Sequence, residues 1–390
     1  MSFIHIFQVA NKQKIHIVSF QVPYPADYGG AIDVYYKAKA LKQAGYYIAL
    51  HTFAYNGRGY NKALLDIADE VFLYKRRSGF FKLLSTLPYI VKTRQSEELL
   101  SNLMKDDAPI LFEGAHTTYF LSSPLLKERR KFVRTHNIES DYYKHLAKAS
   151  HSIFKKIFFL SEHYKLSHYE LQLKHADILF AITEKDKKAL ESICPGTAVE
   201  LLPCFHNGTA ENIQTDKTEK KDYILYNGNL SVEENIKAAL FLIKEVAPFV
   251  KDKKWIIAGK NPSRHIIKAA AKTQNVTVIA NPTHNEMEKL VSQAAINVLI
   301  TFQATGIKLK LLNTLYHGGH CIVNDRMVED SNLDSLCTVA NNAQEIISAI
   351  NRLMKEAITK EDMEKRKKVL QAMYDNNRNI QILSRHLQKA

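Results

Sequence analysis

Cysteine is scarce in this chain, with only Cys194, Cys204, Cys321 and Cys337 in 390 residues and no CxxC pair among them. A chain of this length buries enough apolar surface to fold without covalent staples, so these residues read as reduced thiols and the setting as cytoplasmic. Long apolar runs are missing as well. None reaches the length of a membrane span, and residues 1–10 are too short and too weakly charged for an export signal, so they read as a leader or an extra strand. Histidine is plentiful at sixteen, but no HExxH or HxH occurs, which removes the usual zinc spacings. There is no GxSxG elbow for a hydrolase, no GxxxxGKS/T loop for a Walker-type kinase, and no GxGxxG at the Gly29-Gly30 pair.

What the chain has in excess is positive charge, a formal +14. That implies an anionic partner. Without zinc-finger spacing, an RNP-type aromatic motif or a recognition-helix pattern, nucleic acid is not that partner. Two anionic partners remain: a phosphate-bearing ligand and an anionic membrane surface. Lys75–Arg94 interleaves basic residues with Phe and Leu, a mix that suits a helix lying in a headgroup layer at the inner face of a cell membrane. A helix packed on its own domain with lysines outward has the same composition.

At 390 residues and 46% hydrophobic content, two α/β domains are expected. Residues 14–20 read as a strand, a Pro- and Gly-containing loop follows, and 31–41 begin a helix that Gly45 closes before a second strand at 46–53. Strands at 71–74, 110–112, 132–134 and 178–181 continue the series, interrupted by a basic, aromatic helical stretch from about 139 to 175. Thr183 with Asp186 is an N-cap signature, and 199–202 is the last strand of this half. The polar stretch 203–221 reads as a linker between a domain at 1–202 and a second at 222–370, with a terminal helix at 371–390 and the charged run 355–369 as a solvated segment. In the second half, apolar runs at 223–226, 255–258, 276–279 and 296–300 alternate with helix-like segments, the pattern of a parallel sheet with crossover helices.

Such sheets bind ligands beyond the carboxyl ends of their strands, and the candidate residues collect there. Residues 304–319 read as a loop with a glycine hinge, a helix opening beside Lys308 and Lys310, and a double-glycine stop. A helix start offers free N–H groups and a positive dipole end, so with two lysines it can receive a diphosphate. A solvated lysine face reads the same way from sequence alone. The Gly29-Gly30 pair sits between the first strand and first helix, where backbone can approach a ligand or simply turn tightly. His116 follows one strand end, and His136, Asn137 and Glu139 follow the next. In the second half, Asn229 and the Gly259-Lys260 pair follow strand ends in the same manner.

These residues resemble, over nearly the whole chain, the GT-B glycosyltransferases, in particular the family-4 retaining sugar transferases. The similar elements are Pro25-Ala-Asp-Tyr-Gly-Gly30, Thr135-His-Asn-Ile-Glu139, Gly228-Asn-Leu-Ser with Asn235-Ile-Lys-Ala, Ala258-Gly-Lys-Asn-Pro262, and Thr305-Gly-Ile-Lys-Leu-Lys-Leu-Leu-Asn313. The resemblance implies two Rossmann-like domains facing across a cleft. It also implies a nucleotide diphosphate sugar as co-substrate, a saccharide or lipid-linked acceptor, no metal and no other cofactor. By the same resemblance Lys308 and Lys310 neutralise the donor phosphates, Gly29 and Gly30 face them, and His116 lies near the transferred sugar. Gly259 and Lys260 fall beside the nucleotide, and Asn229, Thr305, Gly306 and Asn313 complete the donor side. His136, Asn137 and Glu139 fall on the acceptor side. The chain departs from the family where Thr305 and Asn313 stand in place of paired glutamates, and where Asn229 and Glu234 replace an Arg and a Lys. The implied activity is hexosyl transfer in surface glycan assembly, with a catalytically silent GT-B scaffold as the alternative.

Overall fold

The computed structural model describes residues 12–150, 152–209, 213, 221–302 and 309–387. The expectation for residues 1–10 lies outside these, as do those for Thr305, Gly306 and Lys308. The chain divides into two compact units, the first formed by Met1–Leu202 with Asn376–Ala390 and the second by Pro203–Asp375.

Among its described residues the first unit holds seven strands: β1 (Lys14–Ser19), β2 (Tyr47–Ala54), β3 (Glu70–Lys75), β4 (Ile110–Glu113), β5 (Lys131–Arg134), β6 (Ile178–Ala181) and β7 (Ala198–Leu201). All neighbours are parallel, in the order β3-β2-β1-β4-β5-β6-β7, so the winding reverses between β1 and β4. Helices α1 (Gly29–Gln43), α2 (Tyr89–Lys92), α3 (Glu97–Leu103), α4 (Glu139–Ala149), α5 (Ile153–Tyr169) and α6 (Glu184–Ile193) lie along the connections. Strand β4 is buried at every position, as continuous apolar strands in a sheet covered on both faces must be. Val18, Phe112, Val133 and Leu179 carry one core from strand to strand. Gly45, at φ 93°, takes the left-handed position that ends α1. Thr183 caps α6 by accepting from the Asp186 N–H at 3.0 Å.

The second unit holds β8 (Lys221–Asn229), β9 (Lys254–Lys260), β10 (Val276–Ala280), β11 (Ala294–Leu299), β12 (His320–Val323) and β13 (Thr338–Val339), parallel in the order β10-β9-β8-β11-β12-β13. Its helices are α7 (Glu233–Phe241), α8 (Arg264–Ala270), α9 (His284–Gln293), α10 (Leu309–His317), α11 (Asp325–Val328), α12 (Ala343–Leu353) and α13 (Lys360–Tyr374). Trp255 on β9 is fully buried among Ile224, Tyr226, Val298 and Ile322. The last helix, α14 (Asn376–Leu387), returns to the first unit. There Leu387 O accepts from Gln13 Nε2 at 2.6 Å and His386 Nε2 meets Glu200 Oε1 at 2.8 Å.

The stretch 139–175, read as helical, is a helical hairpin, α4 then α5, running into a 3-10 turn at Glu170–His175. Two expectations need correction. The stretch Lys75–Arg94 is not one helix: it runs from the end of β3 through a 3-10 turn at Phe80–Leu84 to α2, because Gly79 and Pro88 interrupt it. The charged run 355–369, read as solvated, contains Arg366, which is buried and donates to Gly318 O at 3.1 Å and Gly319 O at 3.2 Å.

Candidate functional site

In the first unit the loops beyond β1, β4 and β5 gather around Phe20. Its ring lies 5.1 Å from that of His116 and 5.4 Å from that of His136, centroid to centroid. Gly30 is small for the same reason, since a Cβ there would stand 2.6 Å from Phe20 Cζ. Helix α1 starts after an extended Tyr28, with no side-chain cap and no acid in its first turn. The first N–H groups of a helix have no intrahelical acceptor, so Gly29 and Gly30 open an uncapped positive helix end. Phe20 was not singled out in the sequence, where it is one apolar residue among many.

His116 and Glu139 face one another at 3.8 Å, Nδ1 to Oε1. Burial holds the imidazole well below its usual range, helped by the nearby positive charge of Arg94. Burial likewise pushes the Glu139 carboxyl up to about 8, with the neighbouring Glu170 carboxylate adding to the effect and Arg94 and Asn137 opposing it. Near neutral pH the pair is therefore an uncharged imidazole beside a protonated acid. Such a pair can orient hydroxyls without presenting charge. Glu170 accepts from Ser140 N at 3.1 Å and Ser140 Oγ at 2.5 Å, fixing the start of α4 that carries Glu139.

Arg94 is the other residue sequence reasoning missed. Its guanidinium is buried, donating to Phe20 O at 2.8 Å, Ile90 O at 2.6 Å and Tyr55 Oη at 3.1 Å. It lies at the end of the stretch read as membrane-facing, so its basic character was assigned to the surface. Arg76 is also held inward, with its Nε on Thr93 Oγ1 at 3.0 Å and its guanidinium 4.5 Å from the Tyr55 ring centre.

His136 differs from His116. Its Nε2 meets Glu113 Oε2 at 3.0 Å, within a buried set in which Lys37 bonds both Asp33 (3.1 Å) and Glu113 (2.9 Å), and Arg134 lies 3.4 Å from Asp33. Asp33, Glu113 and His136 have ligand-type atoms close enough for a cation. Two carboxylates are already matched by two cations, however, so the set fits an ion-pair network better than a metal site.

In the second unit the geometry centres on Lys310, in the first turn of α10. Its ammonium reaches Asn235 Oδ1 at 3.2 Å and lies 5.1 Å from the ring centre of Tyr226, a fully buried phenol whose ionisation burial suppresses. Asn235 in turn donates from Nδ2 to Asn229 O at 3.0 Å. Strand β8, helix α7 and helix α10 are thus tied together at the strand's carboxyl end. Asn313 lies one turn on from Lys310, partly buried.

Two of the donor-side residues also have structural work in their own loops. The Asn229 side chain accepts from Ser231 N (3.2 Å) and Oγ (2.7 Å), so it shapes its own loop. At Gly259 a Cβ would stand 1.8 Å from Gly228 O, so glycine there lets the ends of β8 and β9 pinch together. Lys260, next along, is exposed.

Two successive parallel Rossmann-like units make this a GT-B fold, and solved GT-B structures match the chain end to end. A sucrose-phosphate synthase from Thermosynechococcus elongatus superposes with a TM-score of 0.68 at 15% identity, covering 96% of this chain and 99% of that one. An α,α-trehalose-phosphate synthase (UDP-forming) from Burkholderia xenovorans, in complex with glucose-6-phosphate, gives 0.62 at 12% identity, covering 96% and 100%. In sequence, an uncharacterized 44.6 kDa protein in the cps region of Klebsiella pneumoniae is 25% identical over 359 residues, 87% of this chain and 88% of its own. No family model matches the chain.

Proposed function

We propose that this protein is a retaining, metal-independent glycosyltransferase of the family-4 kind, moving a sugar from a nucleotide diphosphate sugar to a saccharide or lipid-linked acceptor. The observation that carries this reading is the Lys310 ammonium, fixed by Asn235 and Tyr226 where α10 begins at the sheet's carboxyl edge. A cation in that place stabilises charge as it develops on a leaving diphosphate, which is where electrostatic catalysis gains most. Lys308, two residues earlier in sequence, is assigned the same role. As the bond from the sugar's anomeric carbon to the diphosphate oxygen breaks, the acceptor oxygen bonds to that carbon, and its proton passes to the departing phosphate. His116, neutral and half-buried, is assigned to orient the sugar. Glu139, Asn137 and His136 are assigned to the acceptor side, and Gly29 and Gly30 to the phosphates.

Support for the substrate class comes from relatives: the Burkholderia synthase is UDP-forming, and the Klebsiella protein lies in a cps region, in keeping with surface polysaccharide assembly. All four cysteines are reduced thiols, which fits a cytoplasmic site of action. Asn313, in place of a carboxylate, favours a second reading, a silent scaffold that binds nucleotide or glycan without turnover.

Calorimetric titration with nucleoside diphosphates tests the assignment. Lys308→Ala with Lys310→Ala is expected to weaken binding by about 2 to 4 kcal/mol, the worth of two charge-assisted bonds. Unchanged affinity removes the central role given to these lysines. A donor panel that shows nucleotide binding but no release of nucleoside diphosphate, with lipid extracts supplied as acceptor, selects the scaffold.

A further inference from the structure

The helical hairpin of the first unit carries an apolar surface that neither its core nor the proposed chemistry uses. Helices α4 and α5 run antiparallel: His163 Nδ1 meets Ser140 O at 2.9 Å, and the rings of Tyr143 and Phe159 are 6.0 Å apart. Beyond that packing, the first turns of α5 project with Ile153, Phe154, Lys155, Lys156 and Ile157 all exposed. Along the outer face Ile153, Ile157, Leu160 and Tyr164 recur at spacings of four, three and four, a single stripe about 16 Å long. The 3-10 turn Phe80–Leu84 lies against the same helix, since Leu83 O accepts from Lys165 Nζ at 2.8 Å. It adds exposed Phe80, Phe81 and Leu84. Phe81 is 86% and Phe154 81% exposed, values that apolar residues of a folded unit rarely show together in two neighbouring segments.

Charge decides what covers this surface. Lys144, Lys148, Lys155, Lys156, Lys75 and Arg77 are exposed on the hairpin and the neighbouring segment. No acid occurs between Glu70 and Glu97. Glu162, the acid of α5, is buried on Tyr89 N at 2.6 Å and Lys165 Nζ at 2.9 Å. The exposed acid of α4, Asp141, lies in its first turn, at the end away from the hairpin tip. A second copy on this face would bring lysines onto lysines, whereas an anionic bilayer matches the lysines and takes up the aromatic and aliphatic side chains.

We propose that α5, with the Phe80–Leu84 turn, is a membrane-docking face that seats the first unit on a bilayer of anionic phospholipid. It moves the anchor from Lys75–Arg94, which is not one helix, to α5, with the turn supporting it. The inference does not depend on catalysis, because vesicle binding is read without turnover. Sedimentation with vesicles of phosphatidylcholine alone, or mixed equally with phosphatidylglycerol, tests it. Binding is expected only to the mixture and to fall with added salt. Lys155→Glu with Lys156→Glu is expected to weaken it by roughly 25-fold or more, at about fivefold per lysine. Phe154→Ser with Ile157→Ser is expected to abolish pelleting while leaving the circular dichroism unchanged, as both side chains are outside the core. Phe154→Trp should shift to shorter emission wavelength on the mixed vesicles, over a constant signal from buried Trp255. Failure to bind the mixed vesicles overturns the proposal, and so does binding indifferent to these substitutions. A concentration-dependent dimer that Phe154→Ser dissolves would overturn it in favour of self-association.

Discussion

Replacing Glu139 by Gln isolates the energetic cost of an acid kept protonated in the first unit. Burial and the Glu170 carboxylate raise its folded pKa to about 8, against an ordinary value of 4.5. Below the ordinary value both native and unfolded chains hold the proton, and the group costs nothing. Between the two values the unfolded chain releases the proton and the native chain retains it, so stability falls with rising pH by ~1.4 kcal/mol per unit. From pH 5 to pH 7.5 the wild type should therefore lose about 3 kcal/mol that Glu139→Gln, which mimics the protonated acid, does not lose. The loss levels off above the folded value. Because the single Trp255 reports on the second unit, urea unfolding should be followed by hydrogen-exchange mass spectrometry of the β4 and β5 peptides. The informative quantity is the wild-type minus variant stability at each pH, which cancels contributions from other titrating groups. A flat difference across this window would show that Glu139 ionises normally and that its pairing with neutral His116 is wrong.

Two further substitutions probe the frame that holds the sites. Gly259→Ala would place a Cβ 1.8 Å from a backbone oxygen, and should destabilise the second unit by about 3 kcal/mol or more, seen as a lowered urea midpoint in Trp255 fluorescence. Lys37→Met leaves Asp33 and Glu113 buried without their shared ammonium, and is expected to cost about 3 to 5 kcal/mol, measured by the same exchange experiment on the first unit.

The sheets were legible because their central strands are continuous apolar runs, as at 110–112 and 255–258, which survive any detail of tertiary contact. Helix ends with local chemistry were legible too: Gly45 in the left-handed region and the Thr183 cap depend on a few adjacent residues. What failed was the assignment of charge to a face. Arg94, Arg76 and Arg366 are basic residues in basic stretches, and only contacts distant in sequence, such as Arg94 with Phe20 and Tyr55, reveal that they point inward. Phe20 escaped for the complementary reason, since an aromatic ring between two histidines has no local signature. Lys310 was singled out by its place at a helix start, but its contacts with Asn235 and Tyr226, 75 and 84 positions away, required the fold.

The path of α14 bears on how this protein is made. Its Asn379, Ile380, Leu383 and Leu387 are buried, and Arg130 donates to the carbonyl oxygens of His386 and Leu387. The sheet that begins at residue 14 thus waits for residue 387 before its covering is whole. On a ribosome the half synthesised first is the half completed last, and a nascent chain halted anywhere before α14 carries an uncovered strip of its earlier portion.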